Sequence, residues 1–166
     1  MQPVYVVFAG VNGAGKSTFY RTGLWRTEDM PRTMARVNSD EIVVAQGGDP
    51  ASSADQLRAG REAVRLIEEG LSRRRNFNQE TTLTGHAVLR NMRRAREAGY
   101  RVVLYYIGVD TAAVALDRIA HRVAVGGHGI DEGAVLRRYR ASLGNLSRAL
   151  DLCDEATILD NTVEFV

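Results

Sequence analysis

Gly10-Val11-Asn12-Gly13-Ala14-Gly15-Lys16-Ser17 satisfies every fixed position of the pattern G-x-x-x-x-G-K-[ST], and Thr18 follows it. The flanks suit the motif. Val4-Tyr5-Val6-Val7-Phe8-Ala9 is an apolar run of strand length, and Phe19-Tyr20-Arg21 continues a helix. Glycines at such a turn let successive backbone N–H groups face one anion, and the helix N-terminus adds partial positive charge. Gly10, Asn12, Gly13, Ala14, Gly15, Lys16, Ser17 and Thr18 are therefore the expected nucleotide-binding set. Lys16 is expected to reach the outer phosphates, and the Ser17 hydroxyl to bind Mg²⁺. Of 22 basic side chains Lys16 is the only lysine; arginine fills every other basic position. The two are not equivalent, one being a compact ammonium and the other a planar fork.

Working outward, 166 residues suffice for one domain with a substantial core, taken here as 1–166. A net charge of +2 gives no field that argues for nucleic acid or a membrane surface, and Arg73-Arg74-Arg75 and Arg93-Arg94 read as solvated helix faces. The single cysteine, Cys153, excludes a disulfide framework and reads as a small core residue. With no basic leader and no apolar run of membrane-spanning length, the expected compartment is the cytoplasm.

Apolar periodicity and breakers predict helices from about Lys16 to Leu24, Glu41 to Ala45, Ser52 to Arg74, Ala87 to Ala98, Asp110 to Val125 and Asp131 to Leu150. Strands are expected at Val4–Ala9, 35–38, 77–82, 101–109 and 156–159, with the fourth at the centre. On the long third helix the expected core stripe is Leu57, Gly60, Val64, Ile67 and Leu71. On the last helix it is Val135, Leu136, Tyr139, Leu143, Leu146 and Leu150. Ser39 and Asp110 are taken as helix caps. The alternation implies an α/β fold of the P-loop NTPase, kinase-like type, a mostly parallel sheet of about five strands with helices on both faces. Binding groups then gather at the carboxyl ends of the strands, where Gly10, Asp40 and Glu80 fall.

A lone lysine rules out the N-K-x-D base-reading motif of GTPases, and no L-S-G-G-Q signature is present. Phosphoryl transfer to a small molecule needs a base, groups to hold the acceptor, and positive charge over the moving phosphate. Asp40 is the candidate base, and Glu80 with Thr81, Thr82 and Thr84 forms a polar acceptor cluster. Arg118 and Arg122 precede Gly126-Gly127-His128-Gly129, and Arg137, Arg138 and Arg140 follow it. Residues 118–140 thus read as an arginine-bearing lid.

These elements together resemble the small zeta-toxin-like P-loop kinases. The resemblance rests on 8–18, Asn38-Ser39-Asp40, Gln79-Glu80-Thr81-Thr82-Leu83, Arg122 with Gly126-Gly127-His128, Arg137-Arg138-Tyr139 and Asn145-Leu146, and runs from Val4 to about Thr162. It implies ATP and Mg²⁺ as cofactors, and UDP-N-acetylglucosamine or a related nucleotide sugar as acceptor. It makes Asp40 the base, Glu80 and Thr82 substrate-holding residues, Arg122 and Arg140 the phosphate clamp with Arg118 beside it, and Asn161 a contact near the adenine. Glu62 is a further substrate-binding candidate, and an antitoxin protein a possible partner. The chain departs from the family in its short length and in Thr84, which stands where the family has an arginine. A kinase of another metabolite and a regulatory nucleotide-binding module remain the alternatives.

Overall fold

In the computed structural model, which describes residues 2–163, five parallel strands form one sheet. They are β1 (Val4–Ala9), β2 (Ala35–Val37), β3 (Phe77–Thr81), β4 (Arg101–Gly108) and β5 (Glu155–Asp160), in the order β2-β3-β1-β4-β5. The helices are α1 (Lys16–Thr22), α2 (Ser39–Ala45), α3 (Ser53–Ser72), α4 (His86–Glu97), α5 (Ala112–Ala124) and α6 (Glu132–Leu150). The central strand is β1, not the β4 expected from its hydrophobicity; both are paired along each edge and buried on both faces by the helices that cover the sheet.

Two apolar layers sandwich the sheet. Tyr5, Val7, Phe77, Leu104 and Tyr106 join residues of α3, α4 and α6 on one face; Val6, Phe8, Val103, Tyr105 and Ile107 join α1 and α5 on the other. Phe8 lies within aromatic contact of Phe19, Tyr20, Trp25 and Tyr105, which fastens α1 behind the loop it must support. The β1–β3 register pairs Phe8 with Glu80, and the β2–β3 register pairs Val37 with Gln79. Gly10, Asn38 and Glu80 therefore emerge along one rim, as parallel topology requires.

Both predicted helix stripes hold only in part: Ile67, Leu71 and Val135 are buried as expected, and Tyr139 and Leu146 pack against the core. On α3 the buried residues are Ala59, Ala63, Ile67, Gly70 and Leu71, while Leu57 and Val64 are about 60% and 58% exposed. Small residues make the contact because the backbone approaches closely: a Cβ on Gly70 would lie 2.8 Å from the Phe77 ring. On α6 the buried residues are Val135, Ser142, Asn145 and Ala149, with Leu136, Leu143 and Leu150 exposed. Two of the expected caps also move. Asn38, not Ser39, caps α2 by accepting from the Asp40 amide, and Thr111, not Asp110, caps α5. Asp131 caps α6 as expected. Cys153 is half-buried against the core edge, and burial raises its pKa. No described helix is long and apolar enough to cross a membrane.

Candidate active site

The turn from β1 into α1 is held in the shape an anion needs. Gly10 and Gly13 have φ of 143° and 80°, in the left-handed half of the map, and a Cβ at either would strike a backbone carbonyl, Ile107 at 2.1 Å and Ala115 at 2.6 Å. Lys16 is 8% exposed and its Nζ donates to the Val11 carbonyl at 3.2 Å, folded back over the loop. Burial lowers its pKa, opposed by the carboxylates of Glu80 and Asp40. A cleft of about 430 Å³ opens over the loop, lined by loop residues, Thr18, Arg21, Asp40, Glu80, Arg118, Arg122 and Asn161.

Side chains from α1, β2, β3, α2 and α3 complete it. Ser17 Oγ donates to Glu80 Oε1 at 2.7 Å, joining α1 to β3. The other oxygen of Glu80 accepts from Arg36 at 2.5 Å and from Asn38 Nδ2 at 3.0 Å. Arg36 is itself 3.6 Å from the Tyr20 ring centre and pairs with Glu41. Burial opposes its charge, but Glu41 and Glu80 outweigh that and raise its pKa. Asp40 stands at the start of α2, where Gln56 of α3 donates to its Oδ1 at 3.2 Å. The hydroxyl and carboxylate at Ser17 and Glu80 are hard oxygen donors. They fit Mg²⁺, which takes one or two carboxylates and completes its octahedron with water and phosphate oxygens. Among the described residues no group of three or more His, Cys, Asp or Glu side chains is placed to hold a metal ion.

The lid arginines divide. Arg118 donates to the Thr162 carbonyl at 3.2 Å, and Arg122 donates through one terminal nitrogen to the His128 carbonyl at 3.1 Å. Arg122 Nε is buried without a hydrogen-bond acceptor, a group whose desolvation costs about 1–3 kcal/mol until an anion arrives. Gly127 seats against the same arginine: a Cβ there would lie 2.6 Å from Arg122 Cγ. On α6 the residue that reaches the site is Arg138, which donates to Asn12 Oδ1 of the loop at 2.9 Å. Arg140, the expected clamp, is exposed and lines no part of either cleft. Glu62 likewise stays away; it pairs with Arg65 on α3. Asn161 is buried beneath the loop, where its Nδ2 donates to the Ala14 carbonyl at 2.8 Å, so it supports the loop from below.

A second cleft of about 340 Å³ adjoins the first and shares Asn12, Lys16, Asp40 and Glu80 with it. Thr82 and Thr84 line it, hydrogen-bonded to each other at 2.9 Å, with Gln56 and Arg138. Sequence reasoning missed Arg36, Gln56 and Arg21. Arg36 was legible in principle as a charged residue inside a strand; Gln56 and Arg21 carried no pattern.

The AAA domain family model matches residues 6–146. An uncharacterized protein of Haemophilus influenzae is 34% identical over 139 residues, 84% of this chain and 94% of that one. Among solved structures, a putative kinase from Chloroflexus aurantiacus superposes with a TM-score of 0.66 at 15% identity, covering 98% of this chain and 90% of that one. A chain from the PezAT chromosomal toxin-antitoxin system of Streptococcus pneumoniae gives 0.67 at 18% identity, covering 95% and 67%. These likenesses are of fold, and the fold they share is the P-loop kinase-like sheet described above. With its phosphate loop, its parallel five-stranded sheet and a family match over most of its length, the chain belongs to the AAA domain family.

Proposed function

We propose that this protein transfers the γ-phosphoryl group of ATP to a hydroxyl of a sugar-type small molecule. One observation carries the reading: Asp40 stands where the two clefts meet, with the phosphate loop on one side and the threonine-rich cleft on the other. A module that only bound nucleotide would have no use for a carboxylate and a second polar cleft at that junction. UDP-N-acetylglucosamine, the acceptor the family resemblance implies, is the first molecule to try.

In this reading the loop amides and Lys16 hold the triphosphate. Mg²⁺, when bound, offsets phosphate charge, with Ser17 and Glu80 to hold it. Ala113, Val114 and Thr162 line a shallow depression that meets the donor cleft at Arg118, a place for the base. Asp40 accepts the proton of the acceptor hydroxyl, whose oxygen bonds the γ-phosphorus as the bond to the β,γ-bridging oxygen breaks and ADP leaves. Arg122 and Arg138 stabilise the charge that gathers on the transferring group. Asp40→Ala should lower turnover by about 10²–10⁴-fold, while ATP affinity, measured by calorimetry, stays within a few-fold. Near-parental turnover in that variant removes Asp40 from the base role. Expressing the same pair of proteins in a bacterial host tests the toxin role implied by the resemblance: only the parent should arrest growth.

A further inference from the structure

The two clefts differ in what they offer a ligand. On the phosphotransfer reading the donor cleft seats the nucleotide with glycine amides, Arg118 and Arg122, and an apolar wall at Ile119. The acceptor cleft has none of these. It is smaller, and every residue lining it is polar, with no apolar wall for a base. Its two cations belong to the phosphate side, Lys16 on the Val11 carbonyl and Arg138 on Asn12 of the loop. What remains facing the acceptor is the Asp40 carboxylate and a ring of neutral groups, Glu80 being tied to Ser17, Arg36 and Asn38.

Those neutral groups alternate in hydrogen-bonding sense. Gln79 Oε1 accepts from Tyr5, which turns the donating end of its amide to the cleft. Gln56 Nε2 is occupied by Asp40 and the Pro50 carbonyl, which leaves its oxygen as acceptor. The Thr82–Thr84 pair, with one proton between the two oxygens, still has a hydroxyl proton and lone pairs to give. A row of donors and acceptors that each pair with one hydroxyl suits a molecule whose neighbouring hydroxyls both donate and accept.

We infer that the acceptor is a free, uncharged, hydroxyl-rich ring of monosaccharide size, and that a nucleotide-linked form of the same sugar is the poorer substrate. This rests on the phosphotransfer reading and narrows it, departing from the nucleotide sugar implied by resemblance.

The test uses matched pairs, N-acetylglucosamine against UDP-N-acetylglucosamine and glucose against UDP-glucose, with labelled ATP, Mg²⁺ and the full chain. At least one free sugar should be phosphorylated with kcat/KM about tenfold or more above its UDP-linked partner. For that sugar, Thr82→Val should raise KM several-fold with kcat nearly unchanged, and Thr82→Ser should restore it. Equal or faster transfer to the UDP-linked form overturns this inference and leaves the kinase reading standing. Transfer to neither form of any pair, by protein shown calorimetrically to bind ATP, overturns both.

Discussion

The donor and acceptor halves of the site are built by different means. The phosphate-holding part of the donor half is largely backbone: glycines at positive φ, the first amides of α1, and one lysine, close together in the chain, with Arg118 and Arg122 of α5 added from outside. The acceptor half is side chains, gathered from the start of α2 with its cap Asn38, from α3, from β3 and the turn after it, and from α6, across a hundred residues of chain. A backbone device survives in any helix that follows the turn, so it can be recognised as a string. A side-chain device depends on the rotation of every helix that contributes to it, and a string does not record rotation.

The largest effect expected from this difference is at Lys16, where the two halves meet. Lys16→Met should lower transfer by about 10³-fold and ATP affinity by on the order of 100-fold. Without nucleotide the same substitution removes a buried ammonium whose pKa burial depresses. A depressed lysine means the unfolded chain binds more protons than the folded one, so the parent gains stability as pH rises toward the ordinary lysine value. The methionine variant should lose that dependence and melt no lower than the parent at pH 7. A variant that melts well below the parent would make Lys16 a structural member of the loop before it is a functional one.

How far the sequence discloses the site can be followed through α6. Scoring the helix by its large apolar residues set Leu136, Leu143 and Leu150 toward the core beside Val135, while the choice of Arg140 as clamp came from the resemblance. The buried stripe keeps Val135 but continues through Ser142, Asn145 and Ala149. Ser142 is buried because it is within 3.1 Å of the Tyr106 hydroxyl, and Asn145 because it donates to the Leu83 carbonyl at 3.0 Å. Polar residues with partners were invisible to a hydrophobicity pattern. Arg138 lies three residues after Val135 and four before Ser142, so it shares the inward stripe; Arg140 does not. By contrast Asp40 and Glu80 were legible because one follows short β2 at the start of α2 and the other lies at the end of β3, where parallel topology alone directs them to the site.

The next effect in size separates these two arginines. Arg138→Ala should reduce kcat by about 100-fold, and because it also frees Asn12, the loop should take up ATP with altered affinity. Arg140→Ala should leave both constants within about twofold, as expected of an exposed residue distant from the chemistry. Steady-state kinetics on the pair decides the register of α6. The reverse result would mean that α6 turns on closing, with the rotation read from the sequence being that of the loaded enzyme.

The smallest expected effect lies under the acceptor cleft, at the turn that follows β3. Leu83 is fully buried at φ 58°, in a region where a side chain costs about 1–2 kcal/mol. Glycine would relieve the backbone there but forfeit the packing of the leucine against Val88, Met92 and the rest of that core layer. Two hydrogen bonds hold the strained turn, Leu83 N to Thr81 Oγ1 at 3.1 Å and Asn145 Nδ2 to the Leu83 carbonyl at 3.0 Å. The same turn presents Thr82 and Thr84. Asn145→Ala should therefore cost about 1–2 kcal/mol in denaturant unfolding and raise the acceptor KM, while leaving ATP affinity unchanged because the loop has no bond to this residue. A loss of stability with both affinities unaltered would show that the threonine pair is held by β3 itself. The acceptor half would then be as locally encoded as the donor half.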